Sequence, residues 1–297
     1  MINYGKHICT IGFILNGLIT PGFAVTLPEN HAVNGGVTII PIDIKQKPDV
    51  FFNNSRIAIY PSTTPNQWLL IVGIPLDNNQ AIQLLQVTKP YKASIPFHVS
   101  NKYYKTQYLT IENKRKVVPL LEDEQRIADE TKKMATIFAG YSNRDPFSEG
   151  FKAPAYGPIS SLFGLKRIYN KEPRPPHSGL DIAAPADSTV RVIDAGKVVD
   201  SSDYFFTGNT VIVDHGMGVF SLYGHLKAMD VKIGDTVKQG QQIGLVGMTG
   251  RATGPHLHWS MVINQTLVDP LLFVSAHAIT TLPTPPKPQK DAVPATS

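Results

Sequence analysis

Short apolar runs broken by turn residues fill the first third of the chain. Residues 35–113 contain "GVTIIPIDI", "DVFFNNSRIAIYPS", "NQWLLIVGIPL", "KASIPFHVS" and "TQYLTIEN". Runs of this length, rich in Val, Ile, Phe and Tyr, predict strands, and their close spacing predicts a small β-sandwich. Within "FFNNSRIAIY", Asn53 and Asn54 tolerate the positive φ of a tight turn and predict a hairpin. The period then changes. "PLLEDEQRIADETKKMATIFAG", residues 119–140, predicts one long helix, with acids at its start, Lys132 and Lys133 in its second half and Gly140 to end it. Its apolar stripe is Ile127, Ala128, Met134, Ala135 and Phe138. From Gly157 to Phe273 strand-like runs return, with glycine throughout, and after Phe273 the chain becomes rich in Pro, Thr and Ala.

The predicted fold is therefore mainly β. A sandwich-like N-terminal domain occupies 25–114, a helical linker 115–150, and an antiparallel β domain 151–275, followed by a disordered Pro-rich tail at 276–297. Residues 1–24 read as a secretory signal: Lys6, the apolar stretch Ile8 to Ile19, and Pro21-Gly22-Phe23-Ala24 at the cleavage positions. That apolar stretch is too short to span a bilayer comfortably, so the mature form is expected to carry no membrane span. Cleavage removes Cys9, the only cysteine, and leaves neither disulfides nor thiolate metal ligands. An exported chain of this kind suits a bacterial periplasm or cell surface. Losing Lys6 takes the formal charge from +5 to +4, a weak bias toward anionic partners. No segment combines dense Lys/Arg with interleaved aromatics, which argues against nucleic acid.

Candidate chemistry concentrates in the second β region. "HSGLD" carries His177 and Asp181, "YGHL" carries His225, and "GPHLHW" carries His256 and His258. A straight strand would hold the Cα atoms of His177 and Asp181 about 13 Å apart, too far for one ion. Both can serve a single site only if the chain bends at Ser178-Gly179. In "HLH", strand alternation turns both rings to one face. A catalytic zinc takes three protein ligands and keeps a position open. Five candidates thus leave two histidines for proton transfer or oxyanion stabilisation, and no HExxH glutamate is present to act as base. Spacing does not say which two are spare. His98 reads as a packed or surface histidine, His215 sits in a turn-like segment, and Tyr223 and Trp259 read as packing residues.

The order "HSGLD", "YGHL", "GPHLHW" resembles the LytM/lysostaphin-type zinc peptidases of the M23 family, the cell-wall endopeptidases. "ISSLFGLKR", "GNTVIVDHG" and "VKIGDTVKQGQQIGLVGMTGRATGPHLHW" support the resemblance, which covers roughly residues 150–275. The region with "IVGIPL" and the Arg126–Glu130 helix resembles the sandwich and linker of periplasmic, Gram-negative-type members. The resemblance implies a LytM-type domain with one Zn²⁺ held by His177, Asp181 and His258. It makes His225 and His256 the catalytic histidines and suggests a substrate contact from Asn209. The implied substrate is the peptide stem of peptidoglycan, cut at D-Ala–meso-diaminopimelate cross-links. Inactive family members that activate other wall hydrolases have lost some of these residues, whereas all five are present here. The rival readings are such an activator and a zinc peptidase acting on proteins. A second domain beside a complete site also raises intramolecular inhibition by the N-terminal domain.

Overall fold

The computed structural model describes residues 26–109, 119–147 and 150–281. The expected signal at 1–24 lies outside them, as does the tail from residue 282 onward. The N-terminal strands are β1 (Val37–Asp43), β2 (Asp49–Phe52), β3 (Ser55–Arg56), β4 (Ala58–Pro61), β5 (Gln67–Gly73), β6 (Ile82–Lys89), β7 (Ala93–His98) and β8 (Thr106–Leu109). Helix α1 (Leu121–Phe138) follows. Next come β9 (Ile159–Ser161), β10 (Lys166–Tyr169), β11 (Glu172–Arg174), β12 (Leu180–Ile182), β13 (Thr189–Arg191), β14 (Gly196–Tyr204) and β15 (Gly208–Gly216). The last described elements are β16 (Val219–Met229), β17 (Thr236–Val237), β18 (Gln242–Val246), β19 (Leu257–Ile263), β20 (Thr266–Val268) and α2 (Ala276–Thr280). None of the described helices is long and apolar enough to cross a membrane.

Two small antiparallel sheets, β1-β5-β4 and β3-β2-β6-β7, form the N-terminal unit. Val50, Phe52, Ile57, Leu70, Val72 and Leu85 alternate inward from both sheets into a shared core. Asn53 and Asn54 adopt φ of 46° and 64°, and Phe52 pairs with Ser55, so the expected tight hairpin forms. His98 is exposed on β7.

The C-terminal half is built on a ten-stranded antiparallel sheet whose main path runs β17-β14-β15-β16-β19-β12-β9. Strand β19 lies at its centre with all seven residues buried. It pairs with β16 on one side and with β12 on the other. Tyr223 and Trp259 are fully buried within this sheet. His215 is buried too: its Nδ1–H donates to the Ala195 carbonyl (2.9 Å) and its Nε2 lies 2.7 Å from Ser221 Oγ. These three residues are accounted for by packing and internal hydrogen bonds.

Helix α1 is two residues shorter at each end than the sequence suggests. Its docking face also differs. Met134, Ile137 and Phe138 pack on Ile212, Phe220, Leu222 and Val262, while Ala128 and Ala135 face solvent. Strict spacing of three and four puts Ile127, Glu130, Met134 and Ile137 on one stripe, so small alanines at the flank stay outside it. Glu130 tolerates that face because it accepts the Phe205 N–H at 2.8 Å and pairs with Arg126. Lys133 adds an ion pair to the fully buried Asp200 (2.7 Å). The expected tail also begins later than residue 276. Ser275 caps α2 by accepting the Ala278 N–H, and Ile279 is fully buried, so apolar anchoring holds this turn on the domain.

The two halves share a core. Val37, Ala58 and Ile71 pack in one cluster with Ile263 and Val268. Across that seam the buried Asn264 side chain mimics a strand edge, accepting the Gly73 N–H (2.7 Å) and donating to the Gly73 carbonyl (3.1 Å). Asn264 is itself at φ 42°, a conformation that asparagine tolerates better than most residues. Asn264→Ala leaves both Gly73 groups buried without partners, which is expected to cost about 2–4 kcal/mol. Urea unfolding measures this, and a midpoint unchanged from the parent protein would show that the seam does not depend on Asn264.

Candidate metal centre

Register builds the site. His258 on β19 stands opposite Asp181 on β12 and opposite Gly224 on β16. His177 arrives from before β12, where its backbone N–H donates to Leu165 O (2.9 Å) and its carbonyl accepts from Gly164 (2.9 Å). The chain bends at Gly179, as the spacing of "HSGLD" requires. A side chain cannot replace that glycine: its Cβ would lie 2.8 Å from His258 Cε1 and would also strike the Trp259 carbonyl.

His177, Asp181 and His258 are all buried and form a tight triangle. His177 Nε2 and Asp181 Oδ1 are 3.0 Å apart, Asp181 Oδ1 and His258 Nδ1 are 2.8 Å apart, and the two ring nitrogens are 3.2 Å apart. The far side of the His177 ring decides its tautomer. His177 Nδ1 faces the Leu162 carbonyl at 2.9 Å, with Ser161 Oγ at 3.0 Å. A carbonyl only accepts, so Nδ1 carries a proton, and in the neutral ring Nε2 presents a lone pair. That lone pair points at the carboxylate, which is another acceptor. A cation between them resolves the conflict. His258 Nε2 lies 3.0 Å from Ser260 Oγ, a hydroxyl that serves either tautomer, and its Nδ1 faces Asp181 Oδ1 at 2.8 Å.

Burial pushes the Asp181 carboxyl up, but the His177 and His258 rings packed against it outweigh burial and hold the group well below the usual carboxylate range. Burial lowers His258 despite its bond to Asp181. The donor set is two imidazoles and one carboxylate. It fits zinc, whose tetrahedral ligands at about 2.0–2.2 Å are spaced by little more than 3 Å. Zn²⁺ with this set leaves a net charge of about +1.

The other two histidines line the same centre without joining the triangle. His225 and His256 ring centroids are 4.6 Å apart, and His225 lies 5.9 Å from His258. His256 Nε2 is 3.9 Å from Asp181 Oδ1. His225 is aimed by a β-bulge: Asn209 pairs with Leu226 and Val211 with Tyr223, so Gly224 and His225 together oppose Thr210. The bulge puts His225 at φ 62°, backbone strain held at the centre of the site. Its Nδ1–H donates to the Thr249 carbonyl (2.8 Å) and that of His256 to the Gly254 carbonyl (2.9 Å). Both rings therefore turn Nε2 away from these carbonyls. Burial, aided by the neighbouring His258 and His256, pushes the His225 pKa down to about 3.

Asn209 is half-buried and tied to this region through its backbone N–H, which donates to Thr249 Oγ1 (2.9 Å). Thr249 Oγ1 also donates to Leu226 O (2.9 Å), so one threonine orients His225, Leu226 and Asn209 together. Sequence reasoning passed over Thr249, Ser161 and Ser260. Ser260 was within reach of it, since strand period two puts residue 260 on the His258 face. Thr249 and Ser161 carry no such spacing signal.

Comparison with known proteins agrees with this geometry. The description "Peptidase family M23" matches residues 175–270, and "Peptidase family M23 N-terminal domain" matches residues 30–102. The peptidoglycan DD-endopeptidase ShyA of Vibrio cholerae is 41% identical over 106 residues, which is 35% of this chain and 25% of ShyA. The DD-carboxypeptidase/endopeptidase Mpg of Neisseria meningitidis is 38% identical over 136 residues, 46% of this chain and 30% of Mpg. The matches thus span about a quarter to a third of these relatives' lengths. A solved structure from Pseudomonas aeruginosa assigned to peptidase M23 is 35% identical, with a TM-score of 0.70, covering 83% of this chain and 96% of that one. With a relative matched over nearly its whole length and a His-Asp-His donor set suited to zinc, the chain belongs to peptidase family M23.

Proposed function

We propose that this chain is an exported, zinc-dependent endopeptidase that hydrolyses the peptide cross-links of peptidoglycan, at D-Ala–meso-diaminopimelate bonds. The buried triangle of His177, Asp181 and His258, flanked by two imidazoles with open Nε2 atoms, carries the proposal. Its relatives named as peptidoglycan DD-endopeptidases support the substrate, and a periplasmic site of action follows from where that substrate lies.

In this reading His177 Nε2, Asp181 and His258 Nδ1 hold the metal. When bound, zinc supplies Lewis acidity for activating water and polarising the scissile carbonyl. His225 and His256 do the proton work at Nε2. Each commits its Nδ1–H to a backbone carbonyl, which leaves Nε2 as the working atom, and burial keeps His225 neutral. On taking a proton from the attacking water, Nε2 becomes a donor, which can stabilise the oxyanion or pass the proton to the leaving amine. The carbonyls of Thr249 and Gly254 anchor the rings through that change. Asn209, whose strand partner Leu226 follows His225, contacts the peptide in this reading.

Two further outcomes test this reading. A strong chelator abolishes hydrolysis of purified walls. His258→Ala loses bound zinc, whereas His256→Ala keeps about one zinc per chain and loses hydrolysis by roughly a hundredfold or more. Zinc content by mass spectrometry beside the wall assay separates them. Chelator-resistant hydrolysis would contradict the zinc mechanism, and a zinc-loaded parent protein that leaves walls intact would favour the activator reading.

Intramolecular inhibition by the N-terminal domain belongs to the same proposal. The observation in its favour is that β8 pairs in parallel with β10, beside the centre, and Tyr104 packs on Phe163 just ahead of it. Tyr104→Ala, which also loses the bond from the phenol to Asn34 O, is expected to raise the rate of wall hydrolysis several-fold. An unchanged or lower rate in a folded variant removes the idea.

A further inference from the structure

Three arginines stand on the side of the triangle that Arg167 faces. Arg167 and Arg174 are direct cross-strand partners on β10 and β11, so their side chains share one face of that hairpin. Arg167 Nη2 lies 3.8 Å from Asp181 Oδ2, which turns this face toward the centre. Arg251 lies in the segment between β18 and β19. Its guanidinium stacks on Phe206 at 4.7 Å, and its backbone N–H donates to the Phe206 carbonyl (2.9 Å). Burial lowers the Arg251 pKa, and against an opposing contribution from Tyr169 the charges of Arg174 and Arg167 lower it further. The three guanidinium groups therefore lie close enough to repel one another.

Among the described residues, Asp181 is the only acid paired with any of the three, and its Oδ1 is already engaged by His177 and His258. The Nε atoms of Arg167 and Arg174 are buried with no hydrogen-bond partner. Like charges gathered with unspent donors call for an anion from outside. A planar guanidinium fork matches a carboxylate in particular.

We propose that Arg167, Arg174 and Arg251 form a carboxylate subsite that selects peptides carrying a free carboxylate beside the scissile amide. The inference rests on the endopeptidase reading above and sharpens its substrate. In a D-Ala–meso-diaminopimelate cross-link, the carbon bearing the acylated amine also bears a free carboxylate. A glycine bridge has none at that position. The subsite thus separates the two kinds of cross-link by charge, and Arg174 and Arg251 hold the carboxylate while Arg167 also braces Asp181.

The test is binding of a stem peptide ending in meso-diaminopimelate, as the free acid and with that carboxylate amidated, to the metal-free full-length protein by calorimetry. Removing the metal ensures that the arginines alone read the carboxylate. The acid is expected to bind about tenfold or more tightly than the amide, as charge-assisted hydrogen bonds imply. Arg174→Gln and Arg251→Gln are expected to cut that ratio to about threefold or less, with Arg174→Lys retaining part of it. A ratio near one in the parent protein, no binding of either form, or a ratio unchanged in both folded glutamine variants would overturn the subsite. If a variant fails to fold, the acid–amide comparison on the parent protein decides alone. Wall cleavage by the zinc-loaded protein without acid preference would remove only the subsite. Acid preference without wall cleavage would instead remove the endopeptidase reading.

Discussion

Everything at the centre depends on the pairing register of β19 with its two neighbours. His258 has Asp181 across one ladder and Gly224 across the other, with His225 in the bulge beside it. A slip of one residue in either ladder would turn His258 to the opposite face and dissolve the triangle. The register is well protected, because β19 is buried along its whole length and Gly179 lets the incoming chain lie against the His258 ring. The far end of the same strand reaches the seam with the N-terminal sheets, where Asn264 grips Gly73. One strand thus links the chemistry at its start to the domain contact at its end.

Backbone carbonyls do the electrostatic work that side-chain acids perform in many metal sites. Leu162, Thr249 and Gly254 each take an Nδ1 proton, and each choice turns an Nε2 toward the centre. These carbonyls add no net charge, so the site stays positive once a divalent ion joins one carboxylate. The arginines beside it raise that potential further.

Some of this was legible in the residues. "HSGLD" demanded a bend to unite its two ends, and the bend is at Gly179. "HLH" promised two rings on one side, and both reach the centre, though at unequal distances from Asp181: 2.8 Å for His258 and 3.9 Å for His256. The α1 stripe was misread at Ala128 and Ala135, because side-chain polarity hid Glu130, a carboxylate that earns its inward place by capping the Phe205 N–H. The tail was placed too early because composition shows nothing of the single buried anchor, Ile279. The bulge at His225 and the arginine cluster arise from pairings between distant segments. Arg167, Arg174 and Arg251 are unremarkable along the chain and meet only through the hairpin and the β18–β19 connection.

The central claim is that three of five clustered donors take the metal and two stay free for protons. A crystal structure of the zinc-loaded protein, with anomalous data at the zinc edge, addresses it most directly. The account predicts a single zinc peak bound by His177 Nε2, Asp181 and His258 Nδ1, with the Nε2 atoms of His225 and His256 unligated. A peak that includes either of those two Nε2 atoms in its coordination, or that lies away from the triangle, would contradict it.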